Sequence, residues 1–151
     1  MVVSAHDEFT TFFRTVEPRL RRALVGLCGA EDARDALADA LTYAWQHWPR
    51  VRAMENPAGY LYTVARSRTR RRRTPPCFPA VGLQQLPEVE PALPAALAAL
   101  PERQRVAVFL VHGCGWSHPE VAELLGVSVS TVRNHVSRAL DRLRTVIGGA
   151  S

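Results

Sequence analysis

The 151-residue chain contains no lysine: all 19 of its basic residues are arginine. It has three cysteines, and aromatic residues make up 7%. The missing lysine fits a GC-rich genome, and arginine brings a planar fork suited to phosphate and guanine. Cys28, Cys77 and Cys114 have no metal-type spacing, and their odd number argues against a disulfide framework. A reducing, cytoplasmic setting is therefore expected, with no bound metal. There is no long apolar run, and acids at Asp7 and Glu8 are followed by Arg14, so neither a signal peptide nor a membrane span is expected. Apolar residues still reach 47%, enough for packed cores. The net charge of +5 favours a polyanionic partner, because arginine on phosphate releases condensed counterions.

No stretch alternates in the manner of a strand, and helical spacing recurs throughout. Phe9, Phe12, Phe13, Val16, Leu20, Leu24 and Leu27 form one stripe, capped by Ser4 and interrupted by Pro18, which should kink or split the helix. A second helix from about Ala30 to the residue before Pro49 carries Ala33, Leu37, Ala40, Leu41, Ala44, Trp45 and Trp48 as its apolar stripe, and a loop from Pro49 to Glu55 follows. Asn56-Pro57 opens a third helix, asparagine as cap and proline at the first helical position. That helix becomes basic: Arg66, Arg68, Arg70, Arg71, Arg72 and Arg73. Prolines at 75, 76, 79, 87, 91 and 94 then forbid a continuous helix. The expected division is a bundle of about three to four helices over 4–74, a Pro-rich linker over 75–93, and a second helical unit over 94–148.

The second unit holds the strongest pattern. Ser117-His118-Pro119-Glu120 is a capping box, Gly126 suits a left-handed corner, and Ser128 can cap the next helix. Together they form a helix-turn-helix. If Val132, Val136 and Leu140 face inward, Ser128, Ser130, Thr131, Arg133, Asn134, Ser137 and Arg138 face out, as groups that hydrogen-bond base edges and phosphates. An amphipathic hairpin with a solvated face would share the periodicity; the corner, the cap and the absence of acids favour DNA. Asp35 and Asp39 stand one turn apart on the second helix, which suits an arginine-rich partner helix or an ordinary solvated acidic face. The arginine run suits phosphate contact without sequence preference, or a merely solvated tail. Trp48, Tyr60 and Tyr62 could stack on a base, although core packing suits Tyr60 and Trp45 better. His112 and Cys114 lie close but lack further ligands, and no catalytic constellation is found.

The stretch Leu100-Pro101-Glu102-Arg103-Gln104-Arg105, then Glu120 to Ser128, Thr131-Val132-Arg133 and Arg138 to Arg144, resembles region four of sigma-70-type factors of the extracytoplasmic-function (ECF) group. Ala33 to Trp45 resembles the region-two helix that docks on the polymerase clamp, and Asn56 to Arg66 the adjoining helix that handles the minus-ten element. Alanine at 38 and serine at 67 replace the family's usual Gln and Asn. The resemblance implies an all-α, two-domain sigma factor. Its partners would be core RNA polymerase (clamp and flap), promoter DNA and an anti-sigma protein, with no cofactor and a monomeric free state. Polymerase docking would fall to Asp35, Ala38, Asp39 and Tyr43. Minus-ten contacts would fall to Trp48, Arg50, Arg52, Asn56, Tyr60, Arg66, Ser67, Arg70, Arg71, Arg72 and Arg73. The outward set from Ser128 to Arg138 would read the minus-thirty-five element. A divergent DNA-binding regulator or adaptor is the alternative; it would need dimerisation to reach two half-sites.

Overall fold

The computed structural model describes residues 4–69 and 92–148. Every element among them is helical: α1 (Ala5–Cys28), α2 (Ala30–Gln46), α3 (Trp48–Arg52), α4 (Pro57–Thr69), α5 (Leu93–Ala99), α6 (Glu102–Val108), a π-helical turn (Phe109–Gly113), α7 (His118–Leu125) and α8 (Val129–Gly148). The run Arg70 to Arg73 and most of the proline-rich stretch lie outside the described residues.

The helix starts follow cap chemistry. Ser4 accepts from the Asp7 N–H at 3.2 Å. The Asn56 Oδ1 accepts from the Gly59 N–H at 3.1 Å. Ser117 and Glu120 form both arms of a capping box. Gly126 closes α7 at φ 68°, the left-handed corner that forces the chain into α8.

Two expectations are corrected here. Pro18 does not split the first helix, which runs unbroken from Ala5 to Cys28. Arg14, whose carbonyl loses its partner to the proline ring, is exposed, and Val16 and Leu20 on the inner face are buried, so packing holds both flanks. Nor is 49–55 all loop: Trp48–Arg52 is a short helix. Pro49 fits its first turn, and the turn buries Trp48 and Val51.

Of the two tryptophans expected on one apolar stripe, Trp45 departs from the expected core packing. Trp45 is 48% exposed, whereas Trp48 is 6% exposed. Helix α2 ends at Gln46, so Trp48 restarts in a new direction and drops between Phe9 and Phe12, with ring centroids 5.2 and 5.0 Å away. Trp45 stays on the outer face beside Phe9 and His6.

Helices α1, α2 and α4 pack into one bundle, and α6, α7 and α8 into another. The two share a continuous apolar core in which Leu20, Leu24 and Leu61 join Val106, Leu110, Val121 and Val132. A smaller cluster of Ala96, Leu100, Val108, Ala139 and Leu143 seats α5 on α8. Full burial of such side chains contributes about 1.5–3 kcal/mol each.

The Gly126 corner is testable. No atom lies within 4 Å of a Cβ built there, so Gly126→Ala meets only backbone strain. A loss of roughly 1–2 kcal/mol is expected, and Gly126→Asn should lose less, since asparagine tolerates this conformation. Urea unfolding of the three proteins checks the order.

Candidate nucleic-acid interface

Helix α8 presents a polar face at its start. Ser128 accepts from the Thr131 N–H at 3.1 Å, fixing the first turn. Its hydroxyl also lies 3.1 Å from that of Ser130 and 2.7 Å from that of Thr131. Val132, Val136 and Ala139 are buried. Arg133, Asn134, Ser137 and Arg138 are therefore thrown outward and are all exposed. The geometry groups the expected set, although Ser128, Ser130 and Thr131 already bond to one another.

A second cluster joins α2, α3 and α4. The hydroxyls of Tyr43 and Tyr60 are 3.0 Å apart. Tyr43 stacks on His47, centroid to centroid 4.2 Å, and its hydrogen bond to the Tyr60 hydroxyl, ahead of burial, raises its phenol above the ordinary range. The Arg50 guanidinium lies 6.0 Å from the Tyr60 ring centre, and that of Arg68 5.9 Å from Tyr43. Flat rings flanked by cations suit an anionic strand with exposed bases. Tyr43, assigned by resemblance to polymerase docking, makes its ring contacts inside this cluster. Arg68, which the expected set omitted, belongs to it; its place in the basic run was the available signal.

The other expected minus-ten residues scatter. Trp48 is a core residue, packed by Phe9 and Phe12, and presents no face for a base to stack on. Arg52 pairs with Glu8 at 2.9 Å. Ser67 is exposed beside Arg68. Asn56 and Arg66 turn toward the second bundle. The Asn56 Nδ2 donates to the Glu123 carbonyl at 2.6 Å, and the Arg66 Nε donates to the Glu102 carboxylate.

On α2, Asp35 and Ala38 are exposed and Asp39, one turn before Tyr43, is half-buried, with the Arg68 Nη1 3.5 Å from its carbonyl oxygen. Next to them lies an open apolar groove lined by Phe9, Phe13, Leu37, Leu41 and Trp45. No group of three or more His, Cys, Asp or Glu suited to a metal occurs among the described residues. Burial pushes the Cys114 thiol up, away from the thiolate that metal binding needs.

A model of sigma-70 region 2 matches residues 12–74, and one of sigma-70 region 4 matches residues 91–143. The chain is 31% identical to the ECF RNA polymerase sigma factor SigM of Mycobacterium tuberculosis, over 93% of this chain and 77% of the relative. The chain belongs to the ECF RNA polymerase sigma factors. It carries both sigma-70 modules, and with them the work of directing RNA polymerase to promoters. This sigma factor is also 28% identical to EcfG of Rhodopseudomonas palustris, over 86% of this chain and 80% of the relative. Its all-α, two-domain fold is that of two solved complexes. One is the sigma factor RpoE with the anti-sigma factor NepR from Bartonella quintana, at TM-score 0.62, 24% identity, and coverage of 93% and 97% of the two chains. The other is CnrH with the cytosolic domain of CnrY, at TM-score 0.63, 21% identity, and coverage of 95% and 89%.

Sequence reasoning gave no role to His135, which leaves the α8 polar face and lines a small cavity with Tyr62, Arg66, Glu102 and Arg103. Its Nε2 is buried without a hydrogen-bond partner. Burial, then the charges of Arg103 and Arg138, hold its pKa below the ordinary value. The unfolded chain thus takes up this proton more readily, so the stability from neutral His135 is full above about pH 6.5 and is lost as pH falls through the lower folded value. Thermal unfolding should show a fall in Tm on acidification below pH 6.5, and His135→Gln should flatten that fall.

Proposed function

We propose that this sigma factor divides its contacts among three surfaces. The face of α2 with Asp35, Ala38 and Asp39 docks on the polymerase clamp, where carboxylates one turn apart meet arginines. The cluster of Tyr43, Tyr60, Arg50 and Arg68, with Asn56, Arg66 and Ser67 beside it, handles the opened minus-ten strand. Arg70 to Arg73 add contacts to backbone phosphates that carry no sequence preference. The outward face of α8 reads the minus-thirty-five element.

The observation that carries this reading is the start of α8. Arg133 and Asn134 stand exposed in the first two turns of a capped helix, behind a left-handed glycine corner. A recognition helix meets base edges at that position. Arginine can pair bidentately with guanine and asparagine with adenine.

The work is positional rather than catalytic: two reading surfaces on one chain hold polymerase at two promoter elements. The chain acts in the cytoplasm, in keeping with the absence among its described residues of a helix long and apolar enough to cross a membrane. An anti-sigma protein masks these surfaces until it is released, as the names of the two structural neighbours suggest. The free chain is monomeric.

Two experiments test the assignment. Arg133→Ala and Asn134→Ala should each relax base preference at one or two upstream positions by roughly 1–3 kcal/mol, with core binding unchanged. A randomised upstream-element library transcribed by wild type and by each variant measures this, and an unaltered preference in both would mean that the helix docks protein instead. The double reversal Asp35→Arg, Asp39→Arg should weaken affinity for core polymerase at least tenfold while circular dichroism stays unchanged; intact affinity would sink the clamp assignment.

A further inference from the structure

Helix α2 ends at Gln46, and its last carbonyls have no partner within the helix. The Tyr43 carbonyl is met twice by His47, the residue after the helix. The His47 backbone N–H donates to it at 3.0 Å, and the ring nitrogen Nδ1 lies 3.1 Å from it. A carbonyl only accepts, so Nδ1 carries the ring proton. The other nitrogen of the neutral ring, Nε2, is then an acceptor with a free lone pair. His47 is exposed, and among the described residues no other hydrogen bond engages its ring.

Two contacts fix that ring. Its Nδ1 edge is tied to α2, and its face lies on Tyr43 with the planes 22° apart. Tyr43 in turn meets Tyr60 through the two hydroxyls, and Arg50 and Arg68 stand beside those rings. What these neighbours offer a strand is one-sided. Aromatic rings stack on every base, so stacking confers little choice. The two guanidiniums are donors only, suited to phosphate or to base oxygens. The two phenol hydroxyls are engaged with each other. The His47 lone pair supplies the acceptor that the cluster otherwise lacks.

Bases differ in what they bring to such an acceptor. Adenine at N6 and cytosine at N4 carry an amino group, whereas guanine at O6 and thymine at O4 carry an oxygen at the matching place. We propose that His47 is a specificity-determining residue of the minus-ten surface: its Nε2 accepts from the amino group of an adenine or cytosine in the opened strand, while Tyr43 backs the ring. A base with an oxygen at that place would set lone pair against lone pair. The proposal rests on the assignment of this cluster to the minus-ten strand.

The test uses the holoenzyme formed with core polymerase, on a promoter library randomised across the minus-ten element. Wild type should favour adenine or cytosine over guanine and thymine at one position of the opened strand, by about two- to tenfold for a single neutral hydrogen bond. His47→Phe keeps a ring to lie on Tyr43 and removes the acceptor. It should lose the preference at that position and keep the preferences elsewhere. His47→Gln restores an acceptor and should recover part of what His47→Phe loses. A synthetic promoter whose base at that position lacks only its amino group should be transcribed about two- to tenfold less by wild type. His47→Phe should transcribe it as well as its parent.

Preferences unaltered in His47→Phe overturn the proposal. So does an equal loss at every position, which would mean a structural role. Should His47→Phe fail to fold, His47→Ala is compared with His47→Gln: preference kept by glutamine alone supports the proposal, and equal preference in the two overturns it. Tyr60→Ala and Arg50→Ala check the underlying assignment separately. If promoter opening is unchanged in both, the cluster does not meet the strand and the proposal falls with that assignment. If both impair opening while His47→Phe keeps every preference, only the role of His47 falls.

Discussion

The guanidinium of Arg105 is the contact on which the arrangement of the two bundles depends. It is buried and donates to three carbonyls: Gly26 and Leu27 at the end of α1, and Leu100 at the turn that opens α6. Burial lowers its pKa, yet a guanidinium keeps its charge at any physiological pH. Taking such a charge out of water costs several kcal/mol unless its donors are met, and removing a partner from a buried charge is strongly destabilising. The carbonyls at the α1 terminus meet that demand because they have no helical partner of their own. One residue thus ties the end of α1 to the turn that opens α6, and with it the second bundle to the first.

The contacts around this anchor are weaker in kind. Arg19 and Glu120 are about half exposed, and an ion pair in water contributes only about 0–1 kcal/mol. Arg66 and Glu102 are more sheltered but still reach solvent. The junction therefore combines one costly buried cation and several polar links that reach solvent with the apolar core that the two bundles share.

Helix ends were legible in the sequence wherever one residue does a local job. Ser4, Asn56, Ser117, Gly126 and Ser128 mark starts and corners by short-range hydrogen bonds or backbone conformation, and each acts where expected. The outward face of α8 followed from the same logic, because burial of Val132 and Val136 leaves little freedom for the residues between. What could not be read depends on contacts distant in sequence. Trp45 and Trp48 fall on one stripe only while the helix continues, and a break at His47 sends Trp48 between two phenylalanines some 36 to 39 positions earlier. Asn56 announced itself as a cap through its oxygen, but nothing local told that its amide nitrogen would serve a carbonyl 67 residues away. Pro18 misled for a related reason: its local penalty is real, and the packing of Val16 and Leu20 outweighs it.

The polar groups on the α8 face and those at the bundle junction differ in how they are satisfied. Arg133, Asn134 and Arg138 sit on an open helix face and are exposed to solvent. An exposed donor needs no internal partner. Asn56 and Arg66 lie partly buried where the bundles meet. A polar group there would lose water without gaining a bond, at a cost of about 1–3 kcal/mol for a neutral group and more for a charge. The chain supplies the missing partner from its other half, a carboxylate for the cation and a helix-end carbonyl for the amide. Both stand-ins resemble what a nucleic acid offers: an anionic oxygen and a neutral acceptor. A polar group sheltered from water at the junction is thus held by a partner from the other bundle, and the two halves of the chain complete one another's hydrogen bonding.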